Sequence, residues 1–302
     1  MSHPSLIAVD WGTTGFRLWV LDSCGNTLAS IDGPFGMSNL EPSDFGRVLE
    51  ESLNELGIGQ DVPAIICGMA GAAQGWCEAP YLLAPTRLDE LGAGAIRVSN
   101  TSREVCILPG VKQQSPANVM RGEETQIAGL IHLVPDFHGI VCLPGTHTKW
   151  VRVADGAIIE FETCMTGEQF AFLSKASVLS HSMPDDGWSD CAFQAAIRLV
   201  ADDPAAVPRR LFAIRADMLV AKQTSAQARA TLSGLLIGQE FMAVRQYWLD
   251  QTVTLIGVSA LCELYLTALD IMGASGRVVE VSEITLRGLT AAYQHQQDGI
   301  GV

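Results

Sequence analysis

The chain has 302 residues, of which 48% are hydrophobic and 17% are charged. This composition is typical of a globular protein with one large or two ordinary domains, and it excludes disorder and coiled coil. The net charge of −14 disfavours nucleic acid and anionic membranes as partners. No apolar run approaches the ~20 residues of a membrane span, and the cysteines lack Cys-x-x-Cys and zinc-ligand spacing. We therefore expect a soluble cytoplasmic protein with reduced thiols.

Short apolar runs separated by turns predict an α/β layer that occurs twice. In the first copy, strands are expected at 6–9, 16–21, 27–31, 64–67 and 105–108, with a helix from about Ser43 to Gly57. In the second copy, strands are expected at 139–143, 148–153, 157–161, 253–256 and 277–281, with helices at 168–179 and 260–272. Each copy follows a βββαβαβ-type plan.

The repeat predicts the domain organisation. We expect an N-terminal domain at 1–120, a crossover helix within 121–138, and a C-terminal domain at 139–302. Two facing halves usually form a ligand cleft. The segment 180–226 has no counterpart in the first copy, and we interpret it as an insertion that forms either a helical lid or a contact in a homo-oligomer.

The turn after the first strand is the most informative motif, and it reads Asp10-Trp11-Gly12-Thr13-Thr14-Gly15-Phe16-Arg17. Exposed N–H groups and hydroxyls in such a turn can hold phosphate oxygens. The Asp10 carboxylate can hold Mg²⁺ opposite those oxygens. An ordinary hairpin is the alternative, because glycine and threonine are good turn formers.

The corresponding turn of the second copy reads Gly145-Thr146-His147-Thr148-Lys149-Trp150. Alternation along a strand places His147 and Lys149 on one face, and Thr146, Thr148 and Trp150 on the other. Lys149 can meet a phosphate or a carboxylate, or it can be a solvated lysine on an edge strand. A lone histidine such as His147 is more often a hydrogen-bonded structural residue than a base.

The crossover helix opens with two carboxylates. Glu123 and Glu124 follow Arg121 and Gly122, and the helix N-terminus favours their charge, which explains them without any chemistry. Consecutive side chains point about 100° apart, so only one of the two can face a given hydroxyl, and which one stays open. Arg121 can bind a planar carboxylate with two parallel hydrogen bonds.

Two strand ends supply further candidate contacts. Gly68-Met69-Ala70-Gly71 ends a strand and lets the backbone approach either a ligand or a neighbouring element, and Trp76 follows in an aromatic and polar loop. Gly257 and Ser259 join a strand to a helix whose N-terminus can donate to a nucleotide. Ser259 also suits an ordinary helix cap.

These motifs together resemble a known superfamily. The repeat, with Asp-x-Gly-Thr-Thr in one copy and Gly-Thr in the other, resembles sugar kinases, Hsp70 and actin. Within that group, Arg121-Gly122-Glu123-Glu124-Thr125-Gln126 and Pro144-Gly145-Thr146-His147-Thr148-Lys149-Trp150 are similar to the 2-dehydro-3-deoxygalactonokinase family, and the match runs nearly end to end. The resemblance implies two RNase H-like (actin-like ATPase) α/β domains around an ATP–Mg²⁺ cleft. It also implies phosphoryl transfer to the C6 hydroxyl of 2-dehydro-3-deoxy-D-galactonate in galactonate catabolism.

The resemblance also implies roles for the motif residues. Asp10 is expected to hold the metal, and Glu123, Glu124 and Lys149 to act in catalysis. The expected nucleotide and phosphate contacts are Gly12, Thr13, Thr14, Arg17, Gly145, Thr146, His147, Gly257 and Ser259. The expected sugar-acid contacts are Gly68, Met69, Gly71, Trp76 and Arg121.

One departure from the superfamily concerns the proton acceptor. Many of its sugar kinases carry an aspartate at the end of the first strand of the second copy, where this chain reads Cys142-Leu143-Pro144. Glu123 and Glu124 are the nearest replacements, and they resemble a Gly-x-Glu-Glu element of exopolyphosphatases. Three alternatives stay open: a kinase for the gluconate epimer or another 2-keto-3-deoxy sugar acid, a regulator that senses a nucleotide or metabolite, and a phosphate-ester hydrolase.

Overall fold

The computed structural model of the chain describes residues 3–184 and 187–300, with side chains described through 297. Its contacts divide the chain into two units. The first comprises the described parts of Met1–His138, Val153–Glu160 and Val281–Val302, and the second those of Gly139–Arg152 and Phe161–Glu280. Within the predicted insertion at 180–226, Asp185 and Asp186 lie outside the described residues.

The first unit begins with three antiparallel strands, which are followed by a helix. In chain order its elements are β1 (Pro4–Trp11), β2 (Phe16–Asp22), β3 (Thr27–Gly33), α1 (Asp44–Glu55), β4 (Ala64–Gly68), β5 (Tyr81–Leu83), β6 (Thr86–Arg87), β7 (Ile96–Arg97), β8 (Val105–Ile107), β9 (Gly110–Gln114), β10 (Ala117–Met120) and α2 (Glu123–Leu133). The main sheet has the order β3-β2-β1-β4-β8-β7, and β10-β9-β5 form a smaller sheet.

The second unit repeats the three-strand opening and adds more helices. In chain order its elements are β11 (Gly139–Leu143), β12 (Thr148–Ala154), β13 (Ala157–Cys164), α3 (Thr166–Ala176), α4 (Asp190–Asp202), α5 (Val207–Val220), α6 (Ser225–Ala243), α7 (Arg245–Trp248), β14 (Thr252–Gly257), α8 (Ser259–Ile271) and β15 (Ser275–Glu280). Strands β15, β14, β11, β12 and β13 are consecutive neighbours in one sheet. The hairpin tip at 153–160 belongs to the first unit, where Ala157 and Ile158 pair with β6.

Alternation along β1 explains how the first unit is covered on both faces of its sheet. Ile7 and Val9 face the cluster that contains α1, whereas Leu6 and Ala8 face the last helix, α9 (Val281–Ile300). Every residue of β4 is buried, as expected for a central strand with two covered faces. The carboxyl ends of the parallel strands β1 and β4 therefore lie side by side at one edge of a rigid sheet.

Helix α2 is held in place by a close crossing with α9. A Cβ on Gly129 would lie 1.9 Å from the Ile284 carbonyl oxygen, and one on Gly288 would lie 2.0 Å from that of Thr125. Only glycine allows two helix backbones to approach this closely. The crossing therefore fixes the start of α2, which carries Arg121-Gly122-Glu123-Glu124.

The predicted insertion is helical and shares a core with the rest of the second unit. Apolar side chains of α4 and α5, among them Val200 and Ile214, pack against Leu232 and Leu235 of α6. Large apolar side chains on α5 remain exposed: Phe212, Leu219 and Val220. Within residues 3–184 and 187–300, the structure contains no helix of the length and hydropathy that spanning a membrane requires.

Candidate active site

The predicted phosphate turn of the first unit is a tight loop with open N–H groups. The Gly12 N–H donates to the Gly15 carbonyl at 2.9 Å, and the segment 36–38 donates to the carbonyls of Gly12 and Thr13 at 3.1 and 2.9 Å. Thr13 and Thr14 are exposed, and their N–H groups have no hydrogen-bond partner among the described residues. Such paired donors form a concave site for an anion.

Asp10 lies at the end of β1, in register with Arg17 of β2 and Cys67 of β4. Its carboxylate is 4.0 Å from Arg17 Nη1 and 3.8 Å from the Cys67 thiol, and 18% of the side chain is exposed. Burial raises the pKa of Asp10, while Arg17 and the thiol lower it. A cation beside this carboxylate would stabilise the charged form that burial disfavours.

Two glycines bring the start of α2 against the ends of β1 and β4. Gly68 has φ +87° and Gly122 has φ +109°, a region that other residues rarely adopt. A Cβ on Gly68 would lie 2.5 Å from the Trp11 carbonyl oxygen, and one on Gly122 would lie 3.4 Å from the Gly68 Cα. Met69 follows in a short 3-10 turn and is half-buried. The structure thus brings the Gly68-Met69 and Arg121-Gly122 motifs together.

Arg121 is 9% exposed, yet most of its guanidinium lacks a hydrogen-bond partner. Nη2 donates to the Ala79 carbonyl at 2.7 Å, and the group lies 4.2 Å from the ring centre of Tyr81. Nε and Nη1 have no partner among the described residues. Gly71 leaves room for Nη1, because a Cβ there would be 2.8 Å away. A buried cation with two free donors suits a carboxylate ligand.

The two glutamates at the start of α2 have different surroundings. Glu124 is fully buried, and both its oxygens accept the Gly122 N–H, at 2.8 and 2.9 Å. Burial, and then the charge of Glu123, raise the pKa of Glu124 to about 7. Glu123 is partly exposed, and its Oε2 accepts the Arg121 N–H at 3.0 Å. Glu124 thus braces the turn, whereas Glu123 has surface that a ligand can touch.

Trp76, predicted as a sugar-acid contact, lies in an aromatic cluster. Its ring stacks on Phe45 at 6.4 Å and meets Trp11 edge-on at 6.4 Å, and the side chain is half-buried. The cluster belongs to the apolar core beneath the sheet edge.

The predicted phosphate turn of the second unit rests on the start of α3. A Cβ on Gly167 would lie 2.3 Å from the Gly145 carbonyl oxygen, and the Glu168 N–H donates to the Thr146 carbonyl at 3.0 Å. The N–H groups of Gly145 and Thr146 have no hydrogen-bond partner in the described part of the chain. His147 contacts Glu168 through Nε2, and both are exposed. This turn therefore offers a second anion site like the first.

The alternation predicted along β12 is confirmed. Lys149 is 5% exposed, and its Nζ donates to the Thr163 hydroxyl at 3.0 Å. Thr148 and Trp150 point to the other face, towards Tyr265 and Glu240. Lys149 is therefore not a solvated lysine on an edge strand.

A cavity of about 250 Å³ opens beside Gly145 in the second unit. It is lined mainly by apolar side chains of α3, α6 and α8, including Phe170, Ile237 and Leu264, with Tyr265 at its wall. Apolar pockets with a few polar groups are typical of cofactor and nucleotide sites.

Gly257 and Ser259 lie at the junction of β14 and α8. A Cβ on Gly257 would lie 3.2 Å from the Pro144 carbonyl oxygen, so the glycine lets the two strand ends approach. The interpretation of Ser259 as a helix cap is wrong. Val258 holds the cap position without a side-chain hydrogen bond, and Ser259 is the first helical residue.

Sequence reasoning missed one polar group of the second unit. Glu240 of α6 is 4% exposed and accepts hydrogen bonds from Trp150, Thr166 and Tyr265. Burial raises its pKa to about 7. The only available signal was a charged residue within the apolar run 235–242.

No three His, Cys, Asp or Glu side chains in the described residues form a cluster that could hold a metal by itself. Mg²⁺ usually uses one or two protein carboxylates together with substrate phosphates. The Asp10 carboxylate fits the role of a single protein ligand, because its nearest partners, the Cys67 thiol and Arg17 Nη1, are 3.8 and 4.0 Å away.

Comparisons with known proteins place these features in a family. The sequence model of 2-keto-3-deoxy-galactonokinase matches residues 10–292. A probable 2-dehydro-3-deoxygalactonokinase of Rhizobium meliloti (strain 1021) is 40% identical, with 94% of this chain and 95% of that protein covered. The 2-dehydro-3-deoxygalactonokinase of Escherichia coli (strain K12) is 34% identical, with 88% and 90% covered.

Solved structures agree with the sequence comparisons. The crystal structure of a putative 2-dehydro-3-deoxygalactonokinase protein from Sinorhizobium meliloti has a TM-score of 0.90 at 38% identity, with 96% of this chain and 98% of that chain covered. Two more distant structures, 13% and 11% identical with TM-scores of 0.56 and 0.54, share the fold alone. The predicted resemblance, the actin-like ATPase α/β fold class and the assignment as a carbohydrate kinase are confirmed.

Proposed function

The chain belongs to the 2-keto-3-deoxy-galactonokinase family, and we propose that it transfers the γ-phosphoryl group of ATP to the C6 hydroxyl of 2-dehydro-3-deoxy-D-galactonate. The product is the 6-phosphate, and the reaction belongs to galactonate catabolism. The observation that carries the substrate class is Arg121, a buried guanidinium with two free donors at the start of α2. The sugar acid supplies the carboxylate that such a group lacks.

The reacting phosphoryl group needs cations and N–H donors more than it needs covalent chemistry. We propose that Asp10 holds Mg²⁺, which neutralises charge on the phosphates when it is bound. The open N–H groups of Thr13, Thr14, Gly145 and Thr146 bind phosphate oxygens, each pair in its own unit. The roles proposed for Arg17 and Lys149 are electrostatic: Arg17 lies beside Asp10, and buried Lys149 adds positive charge near the second turn.

The acceptor hydroxyl must lose its proton as the phosphoryl group arrives. We propose Glu123 as the proton acceptor, because a base must touch the hydroxyl and Glu123 has accessible surface. Fully buried Glu124 instead holds the Arg121-Gly122 turn through its two hydrogen bonds to the Gly122 N–H. Gly68, Met69, Gly71 and Trp76 shape the surroundings of the sugar acid.

We propose that the apolar cavity of the second unit takes the adenosine. Its position beside Gly145 supports this assignment, because a nucleotide in the cavity would present its phosphates to the neighbouring turn. Gly257 and the exposed start of α8 at Ser259 lie on the β14 side of the same unit. An apolar wall formed by Phe170 and Leu264 suits a purine ring.

The decisive assay measures ADP release with ATP and Mg²⁺ in three reactions: with 2-dehydro-3-deoxygalactonate, with its gluconate epimer, and without sugar acid. We expect turnover with the galactonate derivative to exceed the other two, and ³¹P NMR of the product to show a phosphomonoester at C6. Equal turnover without sugar acid would instead indicate a hydrolase. ATP binding without turnover in any reaction would indicate a regulator.

We also propose a reducing, cytoplasmic location, which the absence of disulfides among the eight cysteines supports. A homo-oligomer that uses the exposed apolar side chains of α5 stays a prediction, and sedimentation velocity tests it.

A further inference from the structure

The carboxylate of Glu240 joins four elements of the second unit. Glu240 itself lies on α6, and its Oε1 accepts the Trp150 indole N–H of β12 at 2.7 Å. Its Oε2 accepts the Tyr265 hydroxyl of α8 at 2.9 Å and, in a short contact, the Thr166 hydroxyl at the start of α3. The residue is 4% exposed and both of its oxygens already accept hydrogen bonds, so it offers no free acceptor to a ligand.

The network extends one step further, to the strand that leaves the phosphate turn. The Thr148 and Tyr265 hydroxyls lie 2.9 Å apart. Because Tyr265 donates its single proton to Glu240, the Thr148 hydroxyl can donate either to the Tyr265 oxygen or to Glu240 itself, which it also contacts. Thr148 is the first residue of β12, directly after the turn at 145–147.

Two members of the network also line the apolar cavity. Thr166 and Tyr265 form part of its wall together with Gly145. Thr166 precedes Gly167, whose backbone lies against the Gly145 carbonyl. The network thus reaches the cavity wall and the phosphate turn from behind, while Glu240 itself touches neither.

We propose that Glu240 is a positioning residue for nucleotide binding: it fixes the Thr166 and Tyr265 wall and the Gly145-Thr146 turn in the arrangement that ATP requires. This inference rests on the proposed function and deepens it. An ionised carboxylate is the group that suits this place, since all of its partners donate and none needs to accept from it.

The carboxylate is the group of this network that titrates near neutral pH. The titratable groups beside the Glu240 carboxylate are the thiols of Cys142 in β11 and Cys164 in β13 and the hydroxyl of Tyr265. Burial raises the pKa of Cys142 and Tyr265 well above their ordinary values, and raises that of Cys164 to about 12. These three neighbours therefore stay neutral under assay conditions, and a substitution at Glu240 changes the charge of one group.

The test compares E240Q with two other variants. The amide of E240Q must place an NH₂ against Trp150 or against the hydroxyls, which leaves a buried donor without an acceptor. W150F removes one donor and leaves the cavity wall untouched, because Trp150 does not line it. D270N, on the exposed end of α8, is the matched control.

We expect KM for ATP, and Kd for a non-hydrolysable ATP analogue, to rise by at least about fivefold in E240Q. A smaller rise in the same direction is expected in W150F, and none in D270N. KM for the sugar acid should stay within about twofold, because the first unit carries the groups proposed for that substrate. A loss of active fraction alone would lower kcat and leave KM for ATP unchanged.

Wild-type values of KM and Kd for the nucleotide in both E240Q and W150F would overturn the inference. Equal changes in KM for both substrates would also overturn it, since they would indicate a general structural role. If the wild-type protein binds the analogue but does not phosphorylate the sugar acid, the proposed function fails. The analogue Kd of the variants still decides the role of Glu240 in that case.

Discussion

Replacing Arg121 by lysine tests the assignment of the sugar-acid carboxylate site. The substitution keeps the positive charge and removes the planar fork whose Nε and Nη1 are free in the described structure. A hydrogen bond to a charged group contributes about 1.5–3 kcal/mol, so loss of the fork should weaken the pair by about 2–3 kcal/mol. KM for the sugar acid should therefore rise about 30- to 150-fold, while KM for ATP stays near the wild-type value.

The assay uses two substrates, the sugar acid and the analogue in which its carboxylate is a carboxamide. The wild-type enzyme should prefer the acid, because the amide offers no charge and only one oxygen to the fork, and R121K should lose the part of that preference that comes from the two parallel hydrogen bonds. R97K, on an exposed arginine of the first unit, is the matched control and should behave as wild type. An unchanged KM for the sugar acid in R121K, or an equal loss on acid and amide, would refute the assignment.

Three other substitutions test the site and its supports. D10N should lower kcat at least about 100-fold with an unchanged thermal melt, because the metal contact proposed for Asp10 would be lost; a melt shifted far downward would show that Asp10 is structural. G36A should raise KM for ATP, since its Cβ would lie 2.2 Å from the Thr14 carbonyl carbon and displace the turn; steady-state kinetics check this, and wild-type KM would contradict it. Glu124 has a pKa of about 7 in the folded protein and 4.5 in the unfolded chain. As the pH rises from 4.5 to about 7, the unfolded chain loses this proton first, so the free energy of unfolding falls by about 3 kcal/mol. Denaturant titrations at several pH values should show that the free energy of unfolding of E124Q depends less steeply on pH than that of the wild type. An unchanged pH dependence would exclude Glu124 as its source.

Local patterns in the sequence were sufficient for the longer strands and for helices α1, α2, α3 and α8, whereas the short strands β5, β6, β7, β9 and β10 and the helices α6, α7 and α9 were not predicted. Alternating or continuous apolar runs predicted β1, β4, β11 and β14, because burial of one or both faces decides where such runs fold. Helix α9 was not predicted, and its membership in the first unit depends on the distant crossing with α2. The last strand ends at Glu280, directly before that helix. No local pattern reports a contact between residues 129 and 284.

The resemblance implied a role for each motif residue, but the local pattern alone did not separate the roles of neighbouring residues. The sequence named Glu123 and Glu124 as equals, and the structure separates them by burial, which depends on how the start of α2 lies against Gly68 at the end of β4. It named Arg121 as a carboxylate ligand, but its two free donors follow from the position of Ala79 and Tyr81. The prediction of Ser259 as a helix cap failed because serine is common at the cap position, whereas this helix begins one residue earlier than expected. Val258 is the cap, and Ser259 is the first residue of α8.

The missing aspartate after β11 can be understood from the burial of the remaining carboxylates. The second unit keeps a carboxylate near this strand, since burial and then the charge of Glu240 raise the pKa of the Cys142 thiol. Glu240 is 4% exposed and its oxygens are occupied by donors, so it can neither bind a metal nor accept a proton from a substrate. Asp10, with 18% of its side chain exposed, and the partly exposed Glu123 both belong to the first unit. Metal and proton chemistry are therefore expected from the first unit and binding of the adenosine from the second, while both units contribute N–H groups for the phosphates. This division predicts that D10N and E123Q lower kcat, whereas E240Q raises KM for ATP.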